Sequence, residues 1–197
     1  MNQKPDNYYT EKYQLTAPHS EVVAAVNQIM PGGRALDLGC GSGRNALWLH
    51  SKGFDVTAWD RNPARLEQII AEEKLSGIHP AVKDLNGVRF NGAYELVLST
   101  VVMMFLQPDA IPQLIADMQA STQKYGYNLI VAAMSTADYP NTQAFPFTFK
   151  SGELSHYYRN WHIVKYNEDV GELHRRDADG NRIKCQFATL LAQKASY

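Results

Sequence analysis

Cysteine, a charge excess of either sign and long apolar runs are what this 197-residue chain has least of. Its two cysteines, Cys40 and Cys185, are too few for a disulfide framework and match no zinc-ligand spacing. Each is expected as a small buried residue in a reducing compartment. Lys and Arg total 19 against 20 Asp and Glu, for a formal net charge of -1. With no basic excess there is no electrostatic footprint for nucleic acid, and no polybasic run suits an anionic membrane. No apolar stretch is long enough to span a bilayer. The polar opening MNQKPDNYYTEKY lacks the apolar region of a signal peptide. Repeats and low-complexity segments are also missing. What remains is ordinary for a globular protein, 45% hydrophobic and 20% charged. The length suits one domain over residues 1–197, and a cytoplasmic location is expected.

The elements alternate in type, which predicts an α/β fold. SEVVAAVNQIM (20–30) puts Val22, Val23, Val26, Ile29 and Met30 on one helical face, stopped by Pro31 and two glycines. RALDL (34–38) reads as a strand. Residues 44–52 read as a helix with Gly53 at C′. Strand 54–59 follows, then a helix capped by Asn62 with Pro63 in its first turn. Residues 78–84 form a weaker strand, which Pro80 suggests lies at a sheet edge. Strand 94–99 precedes VVMMFL, expected as a short buried helix. Asp109 is placed to cap a helix through IPQLIADMQAS, and 127–134 has the apolar content of an interior strand. A long aromatic loop (135–152) and a short helix (GELSHYYRN) lead to strands 161–169 and 183–193. Little but turn sequence separates those two, so they are expected to pair antiparallel. The predicted architecture is a Rossmann-like, doubly wound, seven-stranded sheet in order 3-2-1-4-5-7-6 with the last strand reversed. Ligands of such sheets bind at the carboxyl ends of the strands.

The informative stretch is ALDLGCGSGRN (35–45). In one frame, residues 41–46 satisfy GxGxxA, a weak dinucleotide fingerprint. Asp37 argues against that frame, because a carboxylate just ahead of the turn would face a pyrophosphate. S-adenosylmethionine has no phosphate, and its amino group suits a carboxylate. Gly39, Gly41 and Gly43 allow close backbone approach to such a ligand. Asp60 ends the second strand, where a carboxylate accepts from ribose hydroxyls. Asp84 ends the third, where it can accept from the adenine amine while Leu85 meets the ring. Ser99 and Thr100 end the fourth, beneath the methionine portion. One such Asp is usually structural; three at consecutive strand ends, after a glycine turn, make the joint functional reading the better one.

On these residues the chain resembles class I S-adenosylmethionine-dependent methyltransferases over about residues 20–134 and the closing strands. The cofactor set this implies is Tyr13, Asp37, Gly39, Gly41, Gly43, Asn45, Asp60, Arg61, Asp84, Leu85 and Thr100. Further, NYYTEKY (7–13), LSTVVMMFL (98–106), YNLIVAAMSTADYP (127–140) and VKYNEDVGELHRRDADGNRIK (164–184) are similar to the bacterial tellurite-resistance methyltransferases. QKYGYN (123–128) departs from a Pro-Gly-Gly-like turn there. The resemblance implies methylation of tellurium or selenium oxyanions, a detoxifying reaction, with no metal.

The acceptor side is read from VGELHRRDADGNR (170–182), which joins the last two strands. If the sixth strand runs parallel to the others, this connection projects over the cofactor, as loop 135–160 does. Guanidinium groups match oxyanions well, and His174 could donate or act as a base. As a two-sided strand, 173–176 was expected to put His174 and Arg176 on one face, Glu172 and Arg175 on the other. The resemblance favours His174, Arg175 and Arg182. Asp177–Asn181 is good hairpin-turn chemistry, and as a calcium loop it fails, since Gly180 is misplaced and Ala188 stands where a Glu belongs. Tyr8, Tyr9 and Tyr13 (in a lid segment, 1–19), with Tyr139, Phe145, Phe147 and Phe149, read equally well as a lid or as packing. His19, His50, His79, His156 and His162 show no ligand spacing and read as surface or core residues. In-line methyl transfer needs alignment more than acid–base chemistry, and Cys40 sits in the turn, a poor place for a nucleophile. The alternatives are transfer to a thiol or halide, or, from another class, a dinucleotide-dependent oxidoreductase or nucleotide sensor. A small-molecule acceptor and a monomer or homodimer are expected.

Overall fold

The computed structural model describes residues 4–29 and 32–195. Five parallel strands form the centre: β1 (Arg34–Leu38), β2 (Asp55–Asp60), β3 (Ile78–Val82), β4 (Tyr94–Thr100) and β5 (Thr122–Ala133). Three more follow, β6 (His162–Asn167), β7 (Val170–Arg176) and β8 (Arg182–Gln193). The order is β3-β2-β1-β4-β5-β8-β6, with β7 also paired to β8. β8 runs antiparallel to β5 and to β6, so β6 points the same way as the central strands. The expected order and reversed last strand are both present. The correction is one extra strand: the connection expected as a loop over 170–182 holds β7, and β8 pairs its second half with β6 and its first half with β7.

Side-chain alternation distributes the core over two faces. Ala35, Leu96, Leu98 and Leu129 meet α2 (Ser20–Val26), α3 (Arg44–Ser51) and α4 (Ala64–Glu73) through Val22, Leu47, Leu49, Leu66 and Ile69. Leu36, Leu38, Val97 and Ile130 meet α5 (Ile111–Ala120) and α6 (Glu153–Tyr157) through Leu114, Ile115, Met118 and Leu154. The first face also buries Tyr9 and Tyr13 of α1 (Tyr8–Tyr13). Pro80 lies on edge strand β3, where its missing N–H leaves no ladder bond unmade. Gly53 follows the α3 C-cap with φ +94°, as expected for C′.

Several boundaries moved. The first long helix ends at Val26, and a turn carries Ile29 into the core; Met30 and Pro31 lie outside the described residues. β3 stops at Val82, so Asp84 stands two residues past the strand. Pro63 is the N-cap of α4, and Asn62 instead accepts from the Ala64 N–H at 3.3 Å. Asp109 caps nothing: it sits inside a 3-10 turn (Pro108–Ala110) that runs into α5. VVMMFL makes a single 3-10 turn, with Met103 and Met104 buried and Phe105 exposed. QKYGYN is absorbed into the start of β5, where the register shifts against β4.

Candidate active site

The turn after β1 and the ends of β2, β3 and β4 build one cleft. Gly39 N and Cys40 N both donate to Trp59 O, at 2.8 and 2.9 Å, tying the turn to β2. A Cβ on Gly39 (φ +83°) would lie 2.5 Å from Val102 Cγ2, and one on Gly43 (φ +94°) 2.5 Å from Leu66 Cδ1. These two glycines are required by packing and by left-handed backbone. Gly41 differs: a Cβ there meets nothing within 4 Å. Its N–H donates to Asp60 Oδ2 at 2.9 Å, and Asp60 Oδ1 accepts from Asn62 N at 2.9 Å. The carboxylate thus holds the turn in shape and keeps spare lone pairs at the cleft it lines. Asp84 accepts from Asn86 N at 3.0 Å and pairs with Arg61 at 3.3 Å. The Asn86 amide, then Arg61, hold its carboxyl below the usual range. Asp60, Arg61, Asp84 and Leu85 line this first compartment, of about 320 Å³, with Gly39 and Phe105.

Asp37 lies beside this turn and is only 1% exposed. Burial pushes its carboxyl up to about 7, against the pull of Arg44 and with a push from Asp60. Its Oδ2 has no hydrogen-bond partner among the described residues. A buried carboxyl oxygen left without a donor calls for a partner, and a ligand's ammonium group would suit it. Asn45, also buried, donates to Thr100 Oγ1 at 3.0 Å and accepts from His19 N at 2.9 Å. It clamps the N-terminal segment to the end of β4. Burial pushes the Cys40 thiol up, and Asp37 and Asp60 add to the effect, so no thiolate forms there.

A second compartment, of about 560 Å³, adjoins the first at Val101, which lines both. Val101 has φ +58°, a region that β-branched residues rarely enter, and its N–H is pinned to Val131 O at 2.7 Å. His174 of β7 lines this compartment together with His19 and Arg44.

The three residues expected at the acceptor are divided by the structure. His174 is exposed in the second compartment. Arg175 is turned to the 135–152 loop, where Nη1 donates to Gln143 Oε1 at 3.3 Å and the guanidinium lies 6.0 Å from the Phe145 ring centre. Arg182 donates to the carbonyls of Leu173 (2.9 Å) and Glu172 (3.3 Å) and pairs with the Glu172 carboxylate. It reaches across the β7–β8 pair at the register shift between Glu172 and Arg176. The expected grouping of faces also changes: Glu172 shares the parity of His174 and Arg176, and the register shift breaks the alternation beyond it.

Tyr13 does not line either compartment. Its hydroxyl donates to Glu73 Oε1 at 2.7 Å, and burial foremost, with Glu73, raises its pKa to about 12. Tyr8, Lys4 and Lys12 converge on the same carboxylate. Tyr9, Tyr13 and fully buried Phe149 pack into the core, while Phe145 stacks edge-on against Phe105 at the cleft rim. Sequence reasoning missed His19, Arg44 and Val101. Arg44 had a local signal, since it opens the helix after the glycine turn. His19 had none.

A reversed-last-strand α/β sheet with this turn and these carboxylates defines a class I S-adenosylmethionine-dependent methyltransferase. The orphaned Asp37 oxygen and the open Gly41 position fit that cofactor. The family described as "Tellurite resistance protein TehB" matches residues 1–191, and the chain belongs to it. A relative from Haemophilus influenzae (strain 10810), named "Probable S-adenosyl-L-methionine-dependent methyltransferase TehB", is 47% identical over 97% of this chain and 67% of its own length. A protein from Eikenella corrodens named "Hemagglutinin 1" is 44% identical over 95% of this chain and 63% of its own. The crystal structure of TehB from Haemophilus influenzae superposes with a TM-score of 0.91 at 47% identity, covering 96% of this chain and 66% of that one. The chain thus spans about two thirds of the length of these relatives. A Burkholderia thailandensis N-methyltransferase with bound S-adenosylhomocysteine shares the fold alone, with a TM-score of 0.67 at 17% identity, over 90% of this chain and 76% of that one.

Proposed function

We propose that the chain transfers a methyl group from S-adenosylmethionine to tellurite and selenite-type oxyanions, a cytoplasmic detoxification that confers tellurite resistance. The observation that carries the reading is the second compartment, which opens beside the cofactor cleft at Val101 and is lined by Arg44 and His174. Bound in the first cleft, S-adenosylmethionine would supply an electrophilic methyl carbon on a sulfonium, with the thioether as the leaving group that takes the bonding pair. Asp37 holds the amino group, Asp60 the ribose hydroxyls, and Asp84 with Leu85 the adenine. His174 and Arg44 hold acceptor oxygens and leave the chalcogen lone pair free to form the new bond to carbon. Arg175, on β7, acts from the rim through its contacts with the aromatic loop, and Arg182 acts by holding β7 in shape. Selection of an oxygen-rich anion by planar guanidinium and imidazole donors favours oxyanions over thiols, which need little positive charge.

The test measures S-adenosylhomocysteine release with tellurite, selenite and simple thiols. Turnover with oxyanions is expected. Turnover with thiols or halides alone would replace this reading with transfer to another soft nucleophile. Thermal stabilisation by NADH and not by S-adenosylmethionine would remove methyl transfer altogether.

A further inference from the structure

His19 has two roles in the structure, and only one of them is structural. It is the N-cap of α2: Nδ1 accepts from the Glu21 N–H at 3.1 Å. An acceptor nitrogen carries no proton, so in the neutral ring the proton sits on Nε2. Nε2 has no protein partner among the described residues, yet the ring lines the second compartment. The half-buried ring is kept neutral by burial first and by neighbouring Arg44 second, outweighing Glu21. The backbone of His19 is fixed as well, through its N–H on Asn45 Oδ1. A ring held at Nδ1 and at its backbone therefore lines the compartment and carries an N–H donor with no protein acceptor among the described residues. Arg44 beside it spends Nη1 on Ala17 O at 3.1 Å and keeps its other donors. Of the three carboxylates lining the compartment, Glu21 is paired with Lys165 and Glu172 with Arg182, which lowers the repulsion an anion would meet, while Asp169 has no ion pair among the described residues.

We propose that His19 is an acceptor-binding residue, its Nε2–H donating to one oxygen of the oxyanion beside Arg44. This rests on the reading of the second compartment as the oxyanion site. With Nδ1 engaged, the ring is a donor and not a base, so its contribution is to binding and alignment and not to proton removal.

The discriminating variant is His19→Ser. Serine is a good N-cap and preserves acceptance from the Glu21 N–H, but it cannot reach into the compartment as a donor. Steady-state turnover of selenite, S-adenosylmethionine affinity and thermal midpoint are measured on wild type, His19→Ser and His19→Ala. Expected for His19→Ser is a selenite KM raised five- to twenty-fold, with cofactor affinity and midpoint near wild type. His19→Ala should lose thermal stability as well. A wild-type selenite KM in His19→Ser overturns the proposal, because the residue would then be a cap only. So does equal loss of cofactor affinity, which would place it on the other ligand. Wild-type protein that turns over no oxyanion overturns the compartment's assignment, and this proposal with it.

Discussion

Asp37→Asn is expected to stabilise the protein and to abolish cofactor binding. The carboxyl is buried, and its pKa stands at about 7 instead of 3.8. A raised carboxyl pKa means the folded state holds the proton more tightly than the unfolded chain. Stability therefore falls as pH rises from about 3.8 to about 7 and is level in this group above that. At about 1.4 kcal/mol per pH unit, the ionised group costs at most about 4 kcal/mol at pH 8. Asparagine removes the charge but keeps a buried amide, so about 2–4 kcal/mol is recovered. For a chain of this length that raises the thermal midpoint by roughly 6–12 °C at pH 8, and by nearly nothing at pH 4. S-adenosylmethionine at about 100 times its Kd should stabilise wild type by about 2.7 kcal/mol, and the variant hardly at all, since the amide can accept a hydrogen bond from the ammonium but carries no charge to pair with it and turns a donor NH2 toward it. Differential scanning fluorimetry at pH 4 and 8, with and without the nucleoside, reads all four quantities. A variant less stable than wild type at pH 8, or one that keeps the cofactor-dependent shift, would refute the reasoning.

Three further outcomes follow from particular contacts. In Glu73→Gln the N-terminal segment should loosen, because Lys4, Tyr8, Lys12 and Tyr13 all converge on that carboxylate. Burial opposes ionisation, but hydrogen bonds from Tyr13 foremost lower its pKa from 4.5 to about 2. That stabilisation, about 1–2 kcal/mol after screening, is present above pH 4.5 and lost as pH falls through about 2. Limited proteolysis near residues 4–18 and melting curves at pH 7 and pH 2 check it; equal protease resistance at pH 7 would count against the anchor. Arg182→Ala should speed amide exchange across 172–184 and cut oxyanion turnover, with no rescue by Lys, whose single ammonium cannot span both carbonyls. Arg175→Ala should cut turnover while leaving exchange as in wild type. The same exchange pattern in both variants would show that Arg182 does not hold β7.

Much of the architecture and the cofactor side was legible because it rests on local rules. Alternating apolar positions in RALDL and YELVLS, the left-handed requirement at Gly39 and Gly43, and carboxylates at or just past strand ends are properties of short segments, and they imply the sheet and the cleft. The errors at Asp109 and at β3's end are local too, a matter of where a turn begins. β7 was harder: its residues read as hairpin and loop, and only β8, twice as long as a typical partner needs, supplies the edge that makes them a strand.

What the sequence by itself determined is the type of fold, the class of cofactor and the residue types that line the cleft. Tertiary structure alone decided what those residues do. Asp37 is a carboxylate anywhere in the chain, but only the packing of α3 on β1 removes its water and leaves one oxygen without a donor. Arg182 looks like an anion binder until the fold sets the Leu173 and Glu172 carbonyls within its reach as acceptors. His19 carries no motif, and it reaches the second compartment only because Asn45 clamps the N-terminal segment to β4. Desolvation, competition for hydrogen-bond partners and the meeting of distant segments are non-local quantities, and no window of sequence contains them.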